Sequence, residues 1–247
     1  MKRELSIKPI PLARFRIHKF RMLHNVGFGE MLEDCYAYSW LIRDAKKNIL
    51  IDAGVDIELW PPMDTYGEDI GDLLTSLQKE GLSPEDIEII ILTHLHHDHI
   101  SKSKYFPRAK LIVQKKELEI ATDSNAPPHV KRAYVQHLIR PLYDSKRFEA
   151  IDGDVEIEPG IKVLLTPGHT VGSQSVAIQS GDKVVVVTGF CCVDENFEPL
   201  DASSEIIPIG IYVNTFDAYY SMKRVKDLAD VIVALHGKKF LNKTRIP

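Results

Sequence analysis

The residues of this sequence best suited to chemistry follow an apolar run, in the segment 93–99, which reads Thr-His-Leu-His-His-Asp-His. Residues 89–92 are aliphatic, and such a run is typical of a strand buried on both faces of a sheet. Side chains two residues apart in an extended chain point the same way, so His94 and His96 are expected to project together and Leu95 to point away. The segment therefore predicts two imidazoles held side by side at the end of a buried strand.

Two further side chains, Asp98 and His99, follow where the chain must turn. Imidazole is a ligand for zinc, iron, nickel and copper, and a carboxylate completes many such ligand sets. The cluster therefore predicts a site for one or two metal ions; the alternative is a polar loop in which histidines occur by chance. Five other histidines are expected to be surface or helix residues rather than ligands: His18, His24, His97, His129 and His137.

The elements that must position these side chains follow from the hydrophobic pattern. Aliphatic and aromatic runs predict strands, and apolar residues three and four apart predict helices. A Gly-Asp turn at residues 181–182, between two such runs, predicts a β-hairpin. The predicted strands are 15–22, 36–42, 48–52, 87–92, 109–114, 163–165, 175–179, 183–188 and 231–235, and the predicted helices are 69–80, 115–121, 130–142 and 216–228.

One carboxylate, Asp52, stands at the end of the predicted strand 48–52. A carboxylate in that place often orients a metal ligand by hydrogen bonding to it, although Asp also favours turns and caps. The long loop 55–67 follows, and its Trp60 could line a substrate cleft or pack on the rim. Asp52 is therefore a candidate for holding a histidine in place, and the loop is a candidate for contacting substrate.

The bulk composition excludes several classes of function. The chain has 247 residues, 44% hydrophobic and 27% charged, which are ordinary values for a soluble protein of one α/β domain or two small ones. Its formal net charge of -4 gives no support to nucleic-acid binding, and no apolar run approaches the roughly 18–20 residues of a membrane span. The start of the chain carries no signal-peptide core, and three cysteines make no disulfide framework, so a cytoplasmic location is expected.

The cluster His-x-His-x-Asp-His resembles the motif of the metallo-β-lactamase superfamily, and four other segments occur in the order that the superfamily has. Asp52 resembles its strand-end Asp, and residues 166–170 resemble its second histidine segment. Residues 187–189 resemble the approach to its bridging ligand, and residues 235–237 resemble its last histidine segment. The resemblance thus extends over most of the chain.

Within the superfamily, residues 167–175 and 195–198 are most similar to the N-acyl-homoserine-lactone lactonases. The resemblance implies an α/β fold, the αββα four-layer sandwich of the metallo-β-lactamase type, with its site at one edge where strand ends meet. It also implies that residues 1–247 form a single hydrolase domain.

The resemblance assigns metal ligation to six residues: His94, His96 and His169 for a first ion, and Asp98, His99 and His236 for a second. Three protein ligands per ion leave a position open for water, which marks a catalytic rather than a structural site. The expected cofactor is zinc, as one ion or as two ions about 3.5–4 Å apart, with iron or another divalent metal as the alternative. Asp98 is also expected to act as a general base and then as a general acid.

One ligand of the superfamily is missing. Relatives place an Asp directly after Thr-Gly at the strand end, where it bridges the two ions, but residues 188–192 read Thr-Gly-Phe-Cys-Cys here. Phe190 cannot bind a metal, whereas Cys191 or Cys192 could supply a thiolate if the loop shifts, or could be a buried small hydrophobe. The Tyr that lactonases carry shortly after that Asp has no match either. We therefore expect the second ion to bind more weakly than the first, and Phe190→Asp to raise its occupancy if the backbone follows the path of the family.

These features predict a metal-dependent hydrolase that opens an ester or lactone bond through a metal-bound hydroxide. Water bound to such a metal has a pKa of about 7, so hydroxide is available at neutral pH. A second interpretation is a mononuclear-iron enzyme that oxidises a thiol, like the sulfur dioxygenases of the superfamily, because the missing Asp fits a single ion. A third is a non-catalytic protein that keeps the fold and binds a ligand in the pocket.

The expected partner is a small-molecule ester or lactone, with neither nucleic acid nor membrane. Apolar residues in predicted loops could line an acyl-binding cleft or form the contact of a homodimer. These residues are Leu23, Val26, Phe28, Met31 and Trp60.

Overall fold

Two β-sheets form the centre of the fold, and the aliphatic runs of the sequence supply their strands. The computed structural model describes residues 4–59, 66–198 and 204–247, so Trp60 lies outside the described residues. The strands are β1 (Ser6–His18), β2 (Met31–Arg43), β3 (Ile49–Ile51), β4 (Tyr66–Asp69), β5 (Ile89–Ile91), β6 (Lys110–Gln114), β7 (Phe148–Ile151), β8 (Val155–Glu158), β9 (Ile161–Leu165), β10 (Gln174–Ser180), β11 (Lys183–Val187) and β12 (Val231–Val233). The helices are α1 (Lys19–Met22), α2 (Leu73–Lys79), α3 (His97–Ile100), α4 (Lys115–Thr122), α5 (Pro128–Lys131), α6 (Gln136–Asp144) and α7 (Thr215–Leu228).

The first sheet has seven strands in the order β4-β1-β2-β3-β5-β6-β7. Strands β3 and β5 pair in parallel, with Ile51 opposite Ile91. Parallel neighbours end at the same edge of a sheet, so the residues that follow the two strands, Asp52 and Thr93, come side by side. This edge carries the histidine cluster.

The second sheet has five strands in the order β12-β11-β10-β9-β8. Strands β10 and β11 form the predicted hairpin, and Gly181 in its turn has a φ of 58°, a left-handed value that suits glycine. Strands β11 and β12 pair in parallel, with Val187 opposite Val233. The chain that leaves β12 toward His236 therefore runs beside the chain that leaves β11 at Thr188.

Alternation along the strands divides their side chains between two cores. In β5, Ile89 and Ile91 face the second sheet, whereas Ile90 packs against α2, α4 and α6 on the outer face. Each fully buried isoleucine contributes about 1.5–3 kcal/mol relative to an exposed one. Helix α7 covers the outer face of the second sheet. The order of layers is helix, sheet, sheet, helix, which confirms the αββα sandwich.

Two predicted helices differ from those observed. The helix predicted over 130–142 is divided into α5 and α6, and the turn between them directs Tyr134 into the core. The helix predicted over 69–80 begins only after Asp72, whose carboxylate caps it, because residues 66–69 pair with β1. The longest helix of the described residues, α7, has 14 residues, and none of their helices is long and apolar enough to cross a membrane.

Candidate metal centre

The loop after β5 places His94 and His96 side by side. The centroids of the two imidazole rings lie 4.5 Å apart, and the ring planes are at 83°. Leu95 points away from them and is buried in the core between the first sheet and its helices. The prediction that the two imidazoles project together is confirmed, although β5 itself ends before Thr93.

His169 joins this pair from the second sheet. Its ring centroid lies 4.7 Å from that of His94 and 4.9 Å from that of His96. The Ile211 carbonyl lies 2.8 Å from His169 Nδ1, so Nδ1 carries the proton and Nε2 faces the other histidines. The tight loop requires Gly168, whose φ is 129° and where a Cβ atom would lie 2.2 Å from the backbone of α7. Three imidazoles from two sheets therefore converge.

Asp98, His99 and His236 form a second group beside the first. Asp98 Oδ2 lies 3.2 Å from His99 Nε2 and 3.8 Å from His236 Nε2. His236 Nδ1 lies 2.9 Å from the Tyr36 carbonyl, to which it donates, and its ring packs against the ring of Phe15. The fold thus brings together all six residues that the sequence proposes as ligands.

The donor atoms in this cluster fit a metal ion. The ligand atoms of His94, His96 and His169 all lie within 4.8 Å of one another, as do those of His94, Asp98 and His99. His94 Nε2 is buried and makes no hydrogen bond, although a buried polar atom nearly always has a partner. Burial, followed by the neighbouring imidazoles, lowers the pKa of His94 and of His96, and burial lowers the pKa of His169 to about 4. Neutral imidazoles are the form that binds metals.

His99 has a different electrostatic environment from the other histidines. Burial alone would lower its pKa, but the carboxylates of Asp98 and Asp52 outweigh burial and raise the pKa to about 10. A divalent cation beside Asp98 would displace this proton, so binding at the second group is coupled to proton release.

Asp52 orients His99. It is fully buried, and its Oδ2 lies 2.8 Å from His99 Nδ1. The backbone N–H of Thr93 donates to Oδ1 at 2.7 Å, and the Thr93 hydroxyl donates to Oδ2 at 2.9 Å. The φ of Asp52 is 56°, an uncommon value for a residue other than glycine. The prediction that this carboxylate holds a histidine is confirmed.

Asp52→Asn should lower metal affinity at the second group by about 10–100-fold, the usual cost of losing a group that orients a metal ligand. Asn tolerates the left-handed backbone, but it removes the negative charge that faces His99 Nδ1. Asp44→Asn is the matched control, because Asp44 also has a positive φ, 66°, and is exposed. Metal titration of both chelated proteins would check this prediction. Equal affinities in the two variants would contradict it.

The side chains that follow β11, Phe190, Cys191 and Cys192, do not point toward the two ligand groups, as a bridging ligand would. Phe190 is only 1% exposed and packs in the core between the second sheet and α7, away from the two ligand groups. Cys191 points to the other side, where its Sγ lies 3.6 Å from Met22 Sδ. Cys192 is buried, with its Sγ 3.1 Å from Thr188 Oγ1. Phe190→Asp would therefore not direct a carboxylate to the metals, which corrects the expectation from the sequence.

None of the cysteines enters a ligand group. The groups of metal-binding side chains within residues 4–59, 66–198 and 204–247 contain only histidine and aspartate. Burial, and then the charge of Asp98, raises the pKa of the Cys191 thiol, and burial raises the pKa of Cys192 to about 12. Either thiol would therefore have to lose its proton in order to bind a metal.

Two residues of the site were missed by the sequence reasoning. Glu117 and Tyr134 are buried next to the loops that carry His96 and His169, and the Tyr134 ring packs against that of His96 with centroids 5.2 Å apart. Glu117 follows two lysines at the start of α4, a pattern typical of a solvated helix end, so the sequence carries no signal for its burial. The exposed His129 and His137 are surface residues, as expected.

Two N-acyl homoserine lactonases are similar to this chain in sequence. An N-acyl homoserine lactonase of Bacillus sp is 29% identical over 242 residues, which cover 91% of this chain and 87% of that protein. The N-acyl homoserine lactonase of Bacillus cereus is 29% identical over 161 residues, and this alignment spans only 57% of its length.

Solved structures have the same fold. A quorum-quenching N-acyl homoserine lactone hydrolase is 25% identical and superimposes with a TM-score of 0.78, over 98% of this chain and 96% of that one. A probable metal-dependent hydrolase from Staphylococcus aureus, 18% identical, superimposes with a TM-score of 0.80 over 96% and 91% of the two chains. Residues 32–189 match the metallo-beta-lactamase superfamily. With its two sheets, its helical layers and its histidine-aspartate cluster, this chain belongs to the metallo-β-lactamase superfamily.

Proposed function

We propose that this protein is a metal-dependent hydrolase that opens the ester bond of a lactone, and that N-acyl homoserine lactones are its substrate class. The observation that carries the proposal is the convergence of His94, His96 and His169 beside Asp98 and His99. The lactonase relatives supply the substrate class. We take residues 1–247 as a single hydrolase domain, since the clustered residues come from the loops of both sheets.

The six clustered residues would hold zinc as one or two ions. His94, His96 and His169 would hold the first ion, and Asp98, His99 and His236 the second. A divalent cation there supplies Lewis-acid activation of water and of the ester carbonyl. The protein keeps the imidazoles of His94, His96 and His169 neutral by burial, and partners such as the Ile211 and Tyr36 carbonyls fix the orientation of His169 and His236.

Asp98 is placed to move the proton. Burial raises the pKa of this carboxyl, but the imidazoles of His99, His97 and His236 outweigh burial and hold the pKa well below its usual range. The carboxylate is therefore ionised and can accept the proton of the attacking water. It can then return that proton to the ring oxygen as the acyl C–O bond breaks, which yields the open hydroxy acid.

The surroundings of the site favour an apolar acyl group. Val171 and Val213 are half-exposed next to the loop that carries His169. The Phe20 backbone lies against Gly210, one residue before Ile211, and the Phe20 ring stacks on Phe28, which is 71% exposed. Exposed apolar side chains of this kind are typical of binding surfaces. Among the residues expected to line a cleft, Leu23 is instead buried in the core.

A substrate panel tests the proposal. The purified protein, stripped of metal and reloaded with zinc, should open N-acyl homoserine lactones with release of one proton per turnover, and the metal-free protein should not. Thioesters, phosphodiesters and glutathione persulfide, the last with oxygen uptake as the readout, complete the panel. Turnover of any of these compounds without lactone opening would contradict the proposal, as would tight binding of lactone without turnover.

A further inference from the structure

One buried carboxylate has no part in the proposed reaction. Glu117 has no exposed surface, although it lies in the first turn of α4 among exposed lysines. Its Oε1 accepts a hydrogen bond from the backbone N–H of Leu95 at 3.0 Å. Leu95 stands between His94 and His96, so Glu117 holds the backbone of the histidine loop directly.

The same oxygen also holds a second segment. The Tyr134 hydroxyl donates to Glu117 Oε1 at 3.0 Å, from the turn between α5 and α6. The Tyr134 ring is buried and packs at a steep angle, 63°, against the ring of His96. Glu117 therefore holds the Tyr134 side chain, whose ring packs against His96.

The loop that carries His169 rests on Glu117 as well. A Cβ atom at Gly172 would lie 2.4 Å from the Glu117 backbone nitrogen and 2.6 Å from its Cβ, so the loop and α4 are in direct contact. Burial raises the pKa of Glu117, and the hydrogen bonds from the Leu95 backbone N–H and the Tyr134 hydroxyl oppose that rise. One buried side chain thus lies between the two loops that supply His96 and His169.

We propose that Glu117 is a positioning residue that fixes His96 and His169 relative to each other at the first metal position. The proposal rests on the ligand assignment made under the proposed function, but not on the substrate. Metal–ligand distances lie within about 0.2 Å of their standard values, so the ligand atoms must be closely placed. Without Glu117, a buried backbone N–H and a buried hydroxyl would lose their acceptor, and both loops would be free to move.

Zinc affinity, measured by competition with a chelator and without any substrate, tests this role. Glu117→Ala should lower the affinity for the first ion by about 10–100-fold, as expected for a group that supports metal ligands. Glu117→Gln keeps an oxygen acceptor for Leu95 and Tyr134, so it should restore most of that affinity. Glu119→Ala is the matched control, because Glu119 lies two residues later in α4 and is exposed. The Glu119→Ala protein should bind zinc as tightly as the unmodified protein.

Unfolding of the metal-free variants and the visible spectrum of the cobalt-loaded proteins separate positioning from general stabilisation. Positioning predicts an altered cobalt spectrum in Glu117→Ala and an unaltered one in Glu117→Gln. A lower unfolding temperature of Glu117→Ala with unchanged zinc affinity and cobalt spectrum would overturn the proposal. A Gln variant as damaged as the Ala variant would also overturn it, because charge and not acceptor geometry would then be the cause.

A substitute variant and an activity measurement complete the test. If Glu117→Ala fails to fold, Tyr134→Phe replaces it, because that variant keeps the ring against His96 and removes only the hydrogen bond to Glu117. Zinc affinity of Tyr134→Phe equal to that of the unmodified protein would then overturn the proposal. An unmodified protein that binds zinc through these residues but opens no lactone would refute the proposed function and leave the role of Glu117 standing.

Discussion

His96→Ala and His169→Ala should each abolish lactone opening and lower bound metal. Either change leaves the first ion with two protein ligands instead of three. Removing a group that merely orients a ligand costs about 10–100-fold in metal affinity, so removing the ligand itself should cost more than about 100-fold. Metal content after dialysis and the rate of lactone opening measure the two effects together.

His129→Ala is the control for these variants, because His129 is exposed and lies outside the cluster. It should retain both metal and activity. His96→Ala and His169→Ala should also fold, since neither residue belongs to the hydrophobic cores, and their unfolding should be compared in the metal-free state. Unchanged hydrolysis in both variants would refute the ligand assignment.

Phe190→Asp should destabilise the fold severely and should not strengthen binding of a second ion. Loss of the buried ring alone costs about 3–5 kcal/mol, and burial of an unpaired carboxylate adds several kcal/mol more. The whole stability of a domain is only about 5–15 kcal/mol, so much of the variant should be unfolded. Urea unfolding of the metal-free protein measures the loss.

Phe190→Leu separates the effect of charge from that of lost packing, because it keeps an apolar side chain and should cost less than the roughly 3–5 kcal/mol of losing the whole ring. The ring of Phe190 contributes to the core that includes Phe197 and α7, and none of the six proposed ligands belongs to that core. A folded Phe190→Asp protein with a second ion bound more tightly than in the unmodified protein would contradict this prediction.

Much of the fold and of the candidate site could be predicted from the sequence. An aliphatic run such as residues 89–92 has few alternatives to a buried strand, and local geometry then makes His94 and His96 project together. The role of Asp52 was also predicted, because a carboxylate that directly follows a buried strand often orients a metal ligand, and the parallel pairing of β3 with β5 then places it beside Thr93. These features depend on residues close together in the chain or on one strand pairing.

Tertiary structure alone decided the features that depend on irregular backbone and on distant contacts. Residues 190–191 lie beyond the end of β11 at Val187, and outside a strand the alternation of side chains no longer fixes which residue faces the metals. Packing under α7 placed Phe190 in the core. The hydrogen bond between Glu117 and Leu95 spans 22 residues, and the bond that orients His236 spans 200. Such contacts follow from how the layers pack, because neither partner carries a local pattern that specifies the other.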